Sequence, residues 1–156
     1  MSLIFDTHAH YDDEAFDADR ETLLASMPEH GVGLILDPGC DLESSRRAVE
    51  LARTYPHVYA AVGWHPENCA PYTEDSLDAL RAWAREPKVV AIGEIGLDYY
   101  WEQNPPREWQ QRVFRDQLAL AQELDLPVIV HDREAHADSL AIVQEFPAVR
   151  GVFHCF

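Results

Sequence analysis

The sequence predicts a parallel α/β fold, and three observations carry the prediction. Short apolar runs alternate along the chain with longer amphipathic ones. The short runs are continuous rather than alternately apolar and polar, the pattern of parallel strands buried on both faces. The connections are short, so strand and helix follow each other as successive βαβ units.

Each element has its own justification. "LIFD" (Leu3–Asp6) reads as a strand, and "FDADRETLLASMPEH" (residues 16–30) follows with helical spacing. "GVGLILDPG" contains a second strand, Val32–Leu36. "DLESSRRAVELARTYP" begins with an N-capping Asp41 and stops at a proline, so it is a helix. "VYAAVGWHP" is a third strand ending near Gly63. "TEDSLDALRAWAREP" is a helix capped by Thr73, and "KVVAIGEIG" a fourth strand. A loop, "LDYYWEQNPP", leads into the long helix "REWQQRVFRDQLALAQELD". "LPVIVH" is a fifth strand, "AHADSLAIVQEFP" a helix, and "VRGVFHCF" a sixth strand.

Two architectures accommodate this order, a (β/α)8 barrel and an open doubly wound sheet. The first strand-to-helix turn, "DTHAHYDD", contains no glycine, which argues against a dinucleotide-type phosphate loop. A closed barrel needs eight strands and typically ~250 residues. Six strands and five helices are counted, so the expectation is a single domain over residues 1–156, a barrel that stops after strand six.

Composition excludes several classes. At 156 residues, 47% hydrophobic, the chain has the size of one domain with one core. Its net charge is −16, with Lys88 its one lysine. No broad positive surface exists for gripping a phosphate backbone, so any nucleic-acid contact must be local, through cations and a few arginines. The cysteines Cys40, Cys69 and Cys155 are widely spaced and odd in number, which suggests neither a disulfide framework nor a metal knuckle. Ser2–Phe5 is too short for a leader peptide, and no apolar stretch approaches a membrane span. The expected setting is cytoplasmic, with no membrane association and no obligate protein partner.

In parallel α/β proteins, sites form at the C-terminal ends of the strands. Strand one ends in Asp6, His8 and His10, strand two in Asp37, and strand three is followed by His65. Strand four ends in Glu94, strand five in His131 with Arg133 just after it, and strand six in His154. Five of the eight histidines therefore fall at one rim. His8 and His10, two residues apart, point to the same side of an extended chain. Imidazoles and a carboxylate from different strands suit a binuclear metal site, and Glu94 between two glycines is a costly residue to bury without such a purpose. A carboxylated lysine on strand four is not available as a bridge, because Lys88 stands at the wrong end of that strand. His30, His57 and His136 are assigned to solvent, Cys155 to packing, and Asp37 to either a rim or a turn.

"FDTHAHYDD", "VGWHPE", "GEIGLDYY", "PVIVHDRE" and "GVFHCF" together resemble the TatD family of metal-dependent deoxyribonucleases in the amidohydrolase superfamily. The resemblance implies a TIM barrel with two divalent metals, Mg, Mn or Zn. It implies His8 and His10 on the first metal, Glu94 bridging, and His131 and His154 on the second. It further implies that His65 and Arg133 line the phosphate side of the cleft and that Asp98 supports the site from behind the ligands. The implied activity is hydrolysis of DNA phosphodiesters by a metal-activated water, 3′ to 5′ on single strands. The family's last ligand is an aspartate of an eighth strand, which these residues do not include. Hydrolysis of a small ester, amide or lactone uses similar chemistry and stays open at this point, as does a catalytically incomplete fragment.

Overall fold

A computed structural model describes residues 3–156; Met1 and Ser2, the start of the segment read as too short for a leader, lie outside it. The strands are β1 (Ile4–Asp6), β2 (Val32–Pro38), β3 (Val58–Val62), β4 (Val89–Asp98), β5 (Val128–Arg133) and β6 (Gly151–His154). The helices are α1 (Arg20–Ser26), α2 (Leu42–Thr54), α3 (Glu74–Trp83), α4 (Arg107–Leu124) and α5 (His136–Gln144). One sheet holds all six strands in chain order, and every neighbouring pair is parallel.

Sheet order equal to chain order decides between the two architectures. A doubly wound sheet reverses its strand order at a switch point, and none occurs here. The sheet also curls. His8, just beyond β1, stacks on His154 at the end of β6, with ring centroids 3.8 Å apart and planes 8° from parallel. In a flat sheet five strand spacings of about 4.8 Å would separate those ends by roughly 24 Å. The six strands therefore form a curled partial barrel.

Local sequence explains most elements. The Asp41 side chain accepts the Ser44 N–H at 2.8 Å while Ser44 Oγ accepts the Asp41 N–H at 2.9 Å, a reciprocal cap that starts α2. Thr73 and Ser76 make the same exchange at the start of α3. The stretch predicted as one helix over 16–30 is divided instead. A 3-10 turn spans Glu14–Phe16, α1 covers only Arg20–Ser26, and a second 3-10 turn spans Met27–His30. Pro28 supplies no N–H to continue α1, and Gly31 in the left-handed region (φ 88°) ends the turn.

Val62, Ile92, Ile95, Leu97 and Val130 pack against Val49, Leu80, Phe114, Leu118 and Ile142 from the helices. Leu36, Ala61, Ala91 and Ile129 form a separate cluster, and three of them line a cleft of about 420 Å³ that also takes in His8 and His154. Burial on both faces holds for the inner strands. It does not hold for β1 and β6, where Phe5 is 51% and Val152 61% exposed. Each of these strands has one neighbour among the described residues, so half of its packing partners are lacking.

Candidate metal centre

Strand parity aims the site. Ile129 belongs to the inner cluster, so His131, two residues on, points to the same concave side. His154 pairs with His131 in register and shares that direction. The closeness of β4 to β5 at this level requires Gly96, which has φ 133° and whose missing Cβ would collide with the His131 carbonyl oxygen.

Glu94 lies at the centre of the convergence and is 2% exposed. Its two oxygens face different histidines. Oε2 lies 3.1 Å from His8 Nε2 and 3.6 Å from His10 Nε2, and those two ring nitrogens are 3.2 Å apart. Oε1 lies 3.0 Å from His131 Nδ1, 3.7 Å from His65 Nε2 and 3.8 Å from His154 Nε2. Burial opposes ionisation of Glu94, but hydrogen bonds from His10, His131 and His8 outweigh it and hold the carboxyl well below the usual range. His8, His10 and Glu94 bring ligand atoms within 4.8 Å of one another, and so do Glu94, His131 and His154. The donor set, imidazole with a shared carboxylate, suits divalent transition metals and tolerates magnesium.

Asp98 was expected within the loop that starts at Leu97, supporting the site from there. It belongs to β4 instead, because the parallel ladder continues through Leu97↔Asp132 and Asp98↔Arg133. The buried Asp98 Oδ2 contacts His131 Nε2 at 2.8 Å. The His131 ring thus lies between two carboxylates, an arrangement that calls for a positive charge there. Burial lowers the His131 pKa, but the bonds to Glu94 and Asp98 more than reverse this and raise it. With a proton kept on Nε2 by Asp98, Nδ1 is free to offer a lone pair on the Glu94 side.

His65 is different. Its Nδ1 accepts the Glu67 N–H at 3.3 Å, which leaves the proton on Nε2, the atom directed at Glu94. Burial lowers its pKa to about 4, so the ring is a neutral donor. Arg133, at the end of β5, forms no ion pair among the described residues. Its guanidinium lies over the Tyr100 ring, 3.8 Å from the centroid.

Asp37 was read only as a rim or turn residue, and Asp12, Glu67, Gln110 and Gln117 went unread in the sequence. Asp37 is fully buried, and neither carboxylate oxygen has a hydrogen-bond partner; Asp12, 6% exposed, lies beside it. Burial, then the Asp12 charge, raises the Asp37 pKa to about 9, so Asp37 keeps its proton at neutral pH. Glu67 offers a ligand atom close to His65 and His131, although its place two residues after His65 was a usable signal. Gln110 and Gln117 of α4 are buried and clamp the strand ends. Gln117 accepts the Trp64 N–H at 2.7 Å and donates to its carbonyl at 3.1 Å; Gln110 does the same for Asp98 at 2.9 and 3.0 Å. Their seven-residue spacing on one helix face was the available clue. Two assignments need correction. Cys155 is exposed, since the chain has left β6 with a left-handed residue (φ 57°). His57 is half-buried, its Nε2 3.0 Å from the Leu24 carbonyl.

No helix among the described residues is long and apolar enough to cross a membrane. An uncharacterized metal-dependent hydrolase, YabD of Bacillus subtilis, is 42% identical over 156 residues, covering 99% of this chain and 61% of that protein. The 3′-5′ ssDNA/RNA exonuclease TatD of Cronobacter turicensis is 39% identical over 155 residues, covering 98% of this chain and 59% of its own length. The chain thus spans about 60% of the length of these relatives. The crystal structure of YjjV, a TatD homologue of Escherichia coli, superposes with a TM-score of 0.88 at 38% identity, covering 98% of this chain and 60% of that one. A phosphotriesterase homology protein of E. coli, 16% identical with a TM-score of 0.70, shares the fold alone. Residues 5–156 match the family described as TatD-related DNase, and the chain belongs to that family.

Proposed function

We propose that the chain provides the histidine-rich side of a two-cation phosphodiesterase acting on single-stranded DNA from the 3′ end. The observation that carries this reading is Glu94, whose two oxygens each face a separate histidine group. His8 and His10 would hold one cation, His131 and His154 the other, and Glu94 would bridge them; Mg, Mn and Zn all fit this donor set. When bound, such a cation pair lowers the pKa of a water and offsets charge on the phosphate oxygens. The DNA substrate is drawn from the relatives named as exonucleases.

The remaining work falls to the chain's own groups. The neutral His65 presents Nε2–H to a phosphate oxygen without bringing a second positive charge next to His131. Arg133 supplies a lasting charge where the acidic chain is otherwise repulsive to phosphate. Asp98 keeps His131 in one tautomer and one orientation.

The test is hydrolysis of a single-stranded oligonucleotide by the purified protein with Mg²⁺ or Mn²⁺. Cleavage should stop on chelation and fall by at least ~100-fold in His131→Ala, in line with loss of a metal ligand. Cleavage that survives either change would overturn the assignment.

A further inference from the structure

The segment after β4 carries three consecutive aromatic residues with two different fates. Tyr99 is half-buried, its hydroxyl donating to Asp138 Oδ2 at 2.9 Å and accepting from Gln111 Nε2 at 2.8 Å. Tyr100 is 50% and Trp101 42% exposed. A packed lid would bury those two rings, and Tyr99 already performs the packing. Their rings meet edge to face at 4.6 Å and 87°. The Arg133 guanidinium covers the Tyr100 ring and lies 5.3 Å from the Trp101 centroid.

This group is fixed to the metal centre through one carboxylate. Asp98 Oδ1 accepts the Tyr100 N–H at 3.0 Å and an Asn104 Nδ2 hydrogen at 3.0 Å, while Oδ2 holds His131. Asp98 and Arg133 are register partners at the ends of β4 and β5. The aromatic pair therefore stands two and three residues beyond Asp98, at a set distance from the ligands, with an unneutralised guanidinium beside it.

We propose that Tyr100, Trp101 and Arg133 form a stacking subsite for one unpaired nucleobase of a single-stranded nucleic acid, adjacent to the phosphate at the metal centre. The proposal rests on the phosphodiesterase reading and names the part of the substrate that reading leaves unassigned. An exposed aromatic face with a guanidinium is sequence-tolerant, since every base presents a π-surface and every nucleotide an anionic phosphate. A base inside a duplex cannot reach such a platform without leaving its stack, so the subsite selects single strands.

Trp101 is the one exposed tryptophan of the four, which makes its fluorescence a direct probe. Adding a short oligothymidylate to the protein should quench this emission saturably. An oligomer with the same backbone but abasic residues should not. Trp101→Ala should remove the quenching and raise KM on the oligothymidylate roughly tenfold with kcat little changed. Trp101→Phe should restore KM without restoring the quenching. Equal affinity for the thymidylate and abasic oligomers, or a Trp101→Ala KM within about twofold of wild type, overturns the subsite even where DNA is hydrolysed. Base-dependent quenching without hydrolysis would support the subsite and sink the nuclease reading instead.

Discussion

Asp98 and His131 form a buried pair, Oδ2 to Nε2 at 2.8 Å, and the same imidazole turns its Nδ1 to Glu94 at 3.0 Å. A carboxylate behind the ring and a carboxylate before it leave the histidine one orientation. Asp98→Asn keeps the shape and removes the charge. Its metal affinity should fall by about 10- to 100-fold, the usual cost of losing a partner behind a ligand. Titration calorimetry with Mn²⁺ or Zn²⁺ measures this, and circular dichroism should show an unchanged fold.

The Asp12–Asp37 pair makes stability depend on pH. Asp37 ionises near 3.8 when unfolded and near about 9 in the fold, because burial and then the Asp12 charge disfavour its charged form. Between those values the unfolded chain has released a proton that the fold retains. The contribution is therefore fully present below the unfolded pKa and is lost as pH rises towards the folded one. Asp37→Asn should melt at a higher temperature than wild type at about pH 8 with chelator present, and the difference should shrink towards pH 4. Calorimetric melts across that range check the sign.

Gln117 satisfies both backbone groups of Trp64 from within α4. Gln117→Ala leaves a buried N–H and a buried carbonyl without partners and opens a cavity. The expected loss is on the order of 2–4 kcal/mol, from unsatisfied polar groups and lost packing together. Urea unfolding with unchanged m-value should report it.

Among the described residues the outer strands have one neighbour each and carry exposed apolar side chains, Val152 and Phe153 on β6 among them. Such edges recruit other chains, and a charge on them opposes it. Val152→Lys should raise the soluble fraction and lower light scattering of the purified chain, with little change in its helix content.

Sequence alone determined the strand and helix order, the N-caps Asp41 and Thr73, and the rim on which five histidines and Glu94 gather. Those features are local. A continuous apolar run, a capping residue and a two-residue parity each follow from the residue's own neighbours in the chain. The division of residues 16–30 was also local, since Pro28 was there to be weighed against helical spacing. What tertiary structure decided were relationships between distant segments. Barrel winding rather than double winding depended on the order in which six strands pair. The end of β4 depended on pairing with β5, which placed Asp98 in the strand rather than the loop and made His131 its partner. The burial of Asp12 beside Asp37, and the hydrogen bonds of Gln110 and Gln117 to two strand ends, depended on separate elements meeting in the fold. A residue's chemistry is written in its type, but its partner, and hence its charge state and its work, exists only once the sheet has curled.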